Sequence, residues 1–170
     1  MDNIIGLHIG NIVTVDNPKY HPKLKDVPLV VTGIQERSDL DGGYSISLRH
    51  LDFSRENWQT YSQSLNFIKT IILTTDIANK IEGIIIRKTP ITDIYSLSIN
   101  IYPTEWKAIS FTIDYGNQYI YIRQGQLNEH RHDDDVVTIY NGDFDGLITL
   151  NKLQNIYSEM TNGKQLKINL

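Results

Sequence analysis

The side chains best equipped for chemistry lie late in the chain. His130-Arg131-His132-Asp133-Asp134-Asp135 gathers two imidazoles and three carboxylates in one short stretch. In an extended segment His130 and His132 share a side, and an acid such as Asp133 could complete a zinc-type site. Asn141-Gly142-Asp143-Phe144-Asp145-Gly146 offers oxygen ligands at alternate positions and then a glycine, as an EF-hand calcium loop does. Asn141, Asp143 and Asp145 would be its first ligands. Two features oppose that reading: Asn141 stands where aspartate is usual, and Lys152 takes the place of the bidentate glutamate. Each stretch also has a plainer reading. The first can be a loop of solvated charge, and the second a strand-to-helix turn whose acids suit the helix N-terminus. In an extended strand Asp135 and Asp143 would be about 26 Å apart, at about 3.3 Å per residue, which is too far for one two-metal site.

A second kind of chemistry is recognition. The chain has ten tyrosines, and a tyrosine ring is rigid with a hydroxyl that can bond. Tyr119, Tyr121 and Arg123, with Arg87 and Lys88, could hold a nucleotide between aromatic faces and cations; Tyr44 and Arg49 form a second set. Tyrosines alternating with isoleucines also build a half-exposed sheet with no ligand at all. No Gly-rich phosphate loop, nucleophile elbow or HExxH helix is present. The absence of cysteine removes disulfides, thiolate metal sites and cysteine nucleophiles. A net charge of −4 argues against a general nucleic-acid surface. Lys19, His21, Lys23 and Lys25, set among Pro18, Pro22 and Pro28, read as a solvated loop or a contact for an acidic partner. No apolar run approaches the roughly 20 residues of a membrane helix. The start, Met1-Asp2-Asn3, lacks the basic region of a secretory signal, and a cytoplasmic protein is expected.

Strands must position these residues. Ile12 to Val15, Leu29 to Ile34 and Tyr44 to Arg49 read as three short strands, the last alternating strictly, with Asp41-Gly42-Gly43 as a turn. Short strands with long turns in this order resemble a small SH3-like barrel. Ser54 to Phe67 reads as a linker with a helical turn, from the spacing of Trp58, Tyr61 and Leu65. Thr74 starts a short helix that Gly83 ends. From Ile84 the chain alternates through strands near Tyr95, Ile109, Tyr119 and Val136. Gly116-Asn117 makes one hairpin, and Asn141-Gly142 turns the chain toward the last helix. Thr149 can cap that helix; Leu150, Leu153, Tyr157 and Met160 recur at its period, and Gly163 suits its left-handed end. Asn151, Lys152, Gln154, Asn155, Ser158 and Glu159 fall on its polar side. The expected fold is α+β and strand-rich: an SH3-like subdomain over residues 1–66, then an α+β subdomain over 67–170, in which the closing helix covers an antiparallel meander. The two would pack as one compact unit.

Three stretches together resemble a family of small proteins encoded in Bacteroidetes genomes, often near phage or mobile-element genes. Members open with a segment like LRIGNYV, carry one like PIPLTEEWLLKFGF and close with one like VHQLQNLYFALTG. Here these are Leu7-His8-Ile9-Gly10-Asn11-Ile12-Val13, then Thr70 to Ile77 with Lys80 and Gly83, then Leu150 to Tyr157 with Met160, Thr161 and Gly163. Asn151 replaces the family's histidine, and the prolines before the middle helix are missing. The resemblance implies a setting and no activity. It favours a non-enzymatic binding module of a phage or mobile element, such as an anti-defence protein that binds a host defence protein or sequesters a nucleotide signal. Two alternatives stay open: a metal-dependent enzyme built on His130, His132 and Asp133, using zinc or calcium, and a phage structural or assembly protein that forms homo-oligomers.

Overall fold

The computed structural model describes residues 6–16, 22–52, 54, 59–88, 95–100, 108–114, 119–125, 137–143 and 149–170; from 85 to 143 it defines backbone and register. The chain divides into two compact units. One takes in Met1–Leu73 and Ile148–Leu166 with Leu170, and the other Thr74–Leu147 and Lys167–Asn169.

In the first unit the predicted strands form: β1 (Ile12–Val15), β2 (Leu29–Glu36) and β3 (Tyr44–His50), joined by β4 (Thr60–Ser64) and β5 (Ile68–Thr70). They make one antiparallel sheet in the order β4-β3-β2-β1-β5. Val13, Val15, Leu29, Val31, Ile46 and Leu48 are at most 1% exposed and form its core. Burying each such side chain contributes about 1.5–3 kcal/mol. The β2–β3 register shifts between Val31 and Gly33, a bulge that bends the strand. The predicted turn closes this hairpin: Arg37 N donates to Gly43 O at 2.8 Å, with Gly42 and Gly43 at φ 94° and 72°, where a side chain would be strained.

Residues 59–67 differ from the expected linker. They form β4 and a single 3-10 turn, Leu65–Phe67. Two periods compete here, and the strand period is the one that forms, with β4 paired to β3. Gln63 and Leu65 are buried, and Tyr61 packs against the same core. Among the described residues no ladder joins β4 to β5, so the sheet is open with these strands as its edges. The expected barrel is therefore not closed by hydrogen bonds.

The closing helix α2 (Leu150–Met160) forms as predicted but starts differently. Thr149 is its N-cap residue, yet the hydroxyl makes no capping bond. Thr149 instead bridges Ile72, and Leu150 N donates to Ile71 O at 2.8 Å. A backbone carbonyl thus satisfies one of the helix's free first donors, where a hydroxyl cap was expected. At the other end Gly163 N donates to Ser158 O at 2.8 Å, with Asn162 at φ 54° and Gly163 at φ 85°, a Schellman termination that uses both residues. Leu150 and Leu153 are fully buried. The helix was expected over the second sheet; its described contacts are with β1 and the chain before it, for a reason given below.

In the second unit Thr74 caps α1 (Thr75–Ala78), its Oγ1 accepting from Ile77 N at 3.3 Å. Then come β6 (Ile84–Lys88), β7 (Tyr95–Asn100), β8 (Ala108–Asp114), β9 (Tyr119–Gly125) and β10 (Val137–Asp143). They form an antiparallel meander in sequence order. Successive residues alternate between the faces of a regular strand, so register sorts this sheet, with one irregularity in β10 between Thr138 and Tyr140 that shifts the residues after it to the other face. One face carries two apolar rows: Ile84–Ile99–Phe111–Ile122–Tyr140, and Ile86–Leu97–Ile113–Ile120 ending at Gly142. The molecule is a strand-rich α+β protein of two antiparallel sheets and a C-terminal helix.

Candidate functional site

The opposite face of the second sheet is polar apart from Ile85. The first row reads Arg87–Ser96–Asp114–Tyr119–Asp143, the second Ile85–Ser98–Thr112–Tyr121–Asn141, and the third Asn100–Ser110–Arg123–Thr138. Tyr119, Tyr121 and Arg123 follow one another on one face of β9, about 6.6 Å apart at about 3.3 Å per residue. That interval is close to twice the ~3.4 Å rise between stacked bases. Asp114 and Asp143 flank Tyr119 in the register, offering hydrogen-bond acceptors; Thr112 and Asn141 flank Tyr121. Arg123, in the third row, is the cation at the other end.

The remaining predicted residues sort by the same register. Arg87 shares the face but lies three strands away from β9, about 14 Å at about 4.8 Å per strand. Arg87 and Arg123 are therefore about 19 Å apart and cannot grip one phosphate. Lys88 pairs with Tyr95 and belongs to the apolar face. Asn141 and Asp143 were read as calcium ligands in a turn. They are instead the last residues of β10, paired with Tyr121 and Tyr119. A calcium loop curls around its ion after a helix, whereas these positions are extended in a ladder. The sequence reading ended the strand at Asn141-Gly142, but β9 is long enough to pair β10 through Asp143. Asp145, His130, His132 and Asp133 lie outside the described residues. Among the described residues no three His, Asp or Glu side chains group as a metal site would need.

Tyr44 and Arg49 sit on β3, in the first unit. Tyr44 packs against the core there, and Arg49 is exposed at the far end of the strand. The two do not come together. A neighbouring constellation escaped the sequence reading. Tyr61 hydroxyl donates to Gln59 Oε1 at 3.0 Å and lies 3.1 Å from His50 Nε2, with the two rings edge to face at 5.5 Å. The hydroxyl's single proton goes to Gln59, so His50 Nε2 is the donor toward Tyr61. Only the β3–β4 register could have revealed that pair.

Comparison with family models, with curated proteins and with solved structures gives no match. Chemistry must therefore be read from this chain alone.

The polar side of α2 is the largest departure from the sequence reading. Asn151, Gln154 and Asn155 were expected to face solvent, but Asn151 and Gln154 are buried. Gln154 Oε1 accepts from Ile12 N at 2.9 Å, and Gln154 Nε2 donates to Gly10 O at 3.2 Å. Asn11 Nδ2 donates to Asn155 Oδ1 at 2.7 Å. Asn151 and Asn155 both donate to Gly6 O. From Gly6 to Asn11 the chain lies outside the strands; Gly10 N and Asn11 O pair with Val31 of β2, and buried backbone groups left over demand partners. The helix amides supply them at Gly6 O, Gly10 O and Ile12 N. These bonds draw α2 to the first sheet, and they join the first and third family-like stretches. Asn151 Oδ1 is buried and has no partner among the described residues.

One ion pair decorates the β2–β3 turn. Arg37 grips Asp39 at 2.8 Å and 2.7 Å. That hydrogen bond holds the Asp39 carboxyl below its ordinary range and the Arg37 guanidinium above its own. Both side chains are well exposed, and the pair belongs to the turn rather than to the polar face.

Proposed function

We propose that the protein is a non-enzymatic binding module whose recognition surface is the polar face of the second sheet. The observation that carries this is the register of β9: Tyr119, Tyr121 and Arg123 share one face, flanked by acceptors and hydroxyls from β8 and β10. A nucleotide suits that order. Its base stacks between the two tyrosines, where stacking is worth about 1–3 kcal/mol per base; Asp114 or Asp143 accepts from base N–H groups, and Arg123 meets the phosphate. Two carboxylates in the tyrosine row disfavour a long polyanion, which fits a small ligand better than a nucleic-acid strand.

The family resemblance belongs to the same proposal. The resemblance implies a setting among phage or mobile-element genes, and to that setting the proposal adds action in the host cytoplasm by sequestering a nucleotide signal. The ordered motifs are what support it. The order β4-β3-β2-β1-β5, with a 3-10 turn before the last strand, supports reading the first sheet as an SH3-like barrel left open. Calorimetry with a panel of mono-, di- and cyclic nucleotides tests the ligand. We expect one class to bind the wild type, and Tyr121→Ala and Arg123→Ala each to weaken it at least 10-fold. If none binds, the nucleotide reading falls.

A further inference from the structure

Beyond α2 the chain keeps the period of a strand. Leu166, Ile168 and Leu170 alternate with Gln165, Lys167 and Asn169. The polar three are exposed, Leu166 is buried, and Ile168 and Leu170 are half-buried. Lys167–Asn169 belongs to the second unit, although α2 belongs to the first. It runs antiparallel to residues 80–82, between α1 and β6, and the two segments meet in a single bridge, Ile81 to Ile168. Glu82 N donates to Lys167 O at 3.0 Å, and Asn169 N donates to Lys80 O at 2.8 Å. Bonds on either side of a facing pair bring its side chains closest, with Cα atoms about 4.5 Å apart. Ile168 is thus the residue set against Ile81, which is buried. Lys167 Nζ lies 3.6 Å from Glu82 Oε2, with both side chains more than half exposed, where an ion pair contributes little.

We propose that residues 80–82 form a strand-accepting edge, and that the segment after α2 is a removable strap across it. Two backbone bonds and one apolar pair hold the strap, whereas β3 and β4 share five paired positions. A segment held by so few contacts opens at a far lower free energy than the core. A hinge precedes it: Asn162 and Gly163 are left-handed, and they and Lys164 and Gln165 are exposed. Opening bares Ile81, the Glu82 N–H and the Lys80 carbonyl. An apolar residue between a donor and an acceptor is what strand addition uses: main-chain bonds give affinity, and alternate side chains choose the partner. The partner that fits is an extended peptide with an apolar residue for Ile81 and a cation beside it for Glu82. The strap itself is the pattern for that peptide. The two compete, so the chain takes the peptide only in its opened fraction. The proposal does not depend on what the polar rows bind.

Two measurements of the same opening test this. Hydrogen exchange on the full chain gives the opened fraction from the Glu82 and Asn169 amides. A fraction of about 1%, within the range of minor states, gives a protection of about 100-fold, well below that of the slowest amides of β2 and β3. Fluorescence anisotropy with a labelled peptide of residues 165–170 gives the affinity. The chain cut after Leu166 should bind the peptide more tightly than the full chain by that same factor, about 100-fold. The peptide carrying Ile168→Asp should bind about 10-fold more weakly or worse, a charge being set against buried Ile81; equal binding overturns the pairing. Equal affinity of the peptide for both chains, or no binding to a folded shortened chain, overturns the proposal. So does exchange of Glu82 and Asn169 only together with β2 and β3, which would make the segment part of the core. If the shortened chain does not fold, Ile168→Asp in the full chain takes its place. Exchange at Glu82 and peptide affinity should then rise together, and a rise in neither or in one alone overturns the strap.

Discussion

The two sheets handle polar groups in opposite ways. In the first, β1 is covered on both sides: Val13 and Val15 enter the core, while Ile12 is buried and its N–H is bound by Gln154 of α2. Polar side chains there are spent on the backbone. In the second, alternation separates a mainly apolar face from a mainly polar one, broken once by the irregularity in β10, and the polar rows repeat Ser, Thr, Asp, Asn, Tyr and Arg, with Ile85 the exception. A strand covered on both sides reads as a nearly continuous apolar run, and a strand with one open face reads as alternation. The alternating sheet is thus where a surface for a partner is to be sought, and the covered one is scaffold.

Substitutions should separate the two roles. The largest effect belongs to the scaffold core. Leu48→Ala, at a fully buried site, should cost about 2–5 kcal/mol in denaturant unfolding and leave ligand affinity unchanged once the protein is folded. Gln154→Leu comes next. It strands Ile12 N–H and Gly10 C=O in a buried place, so a loss of about 2 kcal/mol is expected; a loss below about 0.5 kcal/mol would mean that α2 does not hold the start of the chain by these bonds. Thr112→Ala in the polar rows should change stability by no more than about 0.5 kcal/mol, the size expected where a polar face is free of packing. Ligand affinity is where it should show.

The smallest effect is expected at the β2–β3 turn. Arg37→Ala removes a well-exposed ion pair, and the melting temperature at neutral pH should stay within error. The sign of its pH dependence is fixed. Asp39 is held below its unfolded pKa, so what the pair contributes is present above that unfolded value and fades as pH falls through the lowered one. The wild type and Arg37→Ala should therefore converge in acid. A difference that grows there would contradict the assignment.

Much of the architecture was legible in the residues. Alternation located β3, β7, β8 and β9, and Asp41-Gly42-Gly43 and Thr74 marked a turn and a cap that both form. The departures share a cause. Residues 59–67 carried two periods, and only the core of the folded sheet could choose between them. The amides of Asn151, Gln154 and Asn155 look like a solvent face by type. They are buried because a segment distant in sequence, Gly6 to Ile12, brings unpaired backbone groups to them. Asn141 and Asp143 looked like ligands in a turn, since pairing to β9 is invisible to a local pattern. The grouping of Tyr119, Tyr121 and Arg123 was readable, because period two fixes their common face. That Lys88 lies on the other face follows from the same period, while the distance of Arg87 needed the strand order.

The central claim is that ligand recognition belongs to the polar rows of the second sheet. Amide chemical-shift mapping during a nucleotide titration tests it most directly. The largest shifts should fall on Thr112, Tyr119, Tyr121, Arg123 and Asn141, and Arg123→Ala should abolish them while leaving the rest of the spectrum in place. Shifts centred on β1 to β5, or none with any nucleotide at millimolar concentration, about the weakest binding worth calling specific, would contradict it.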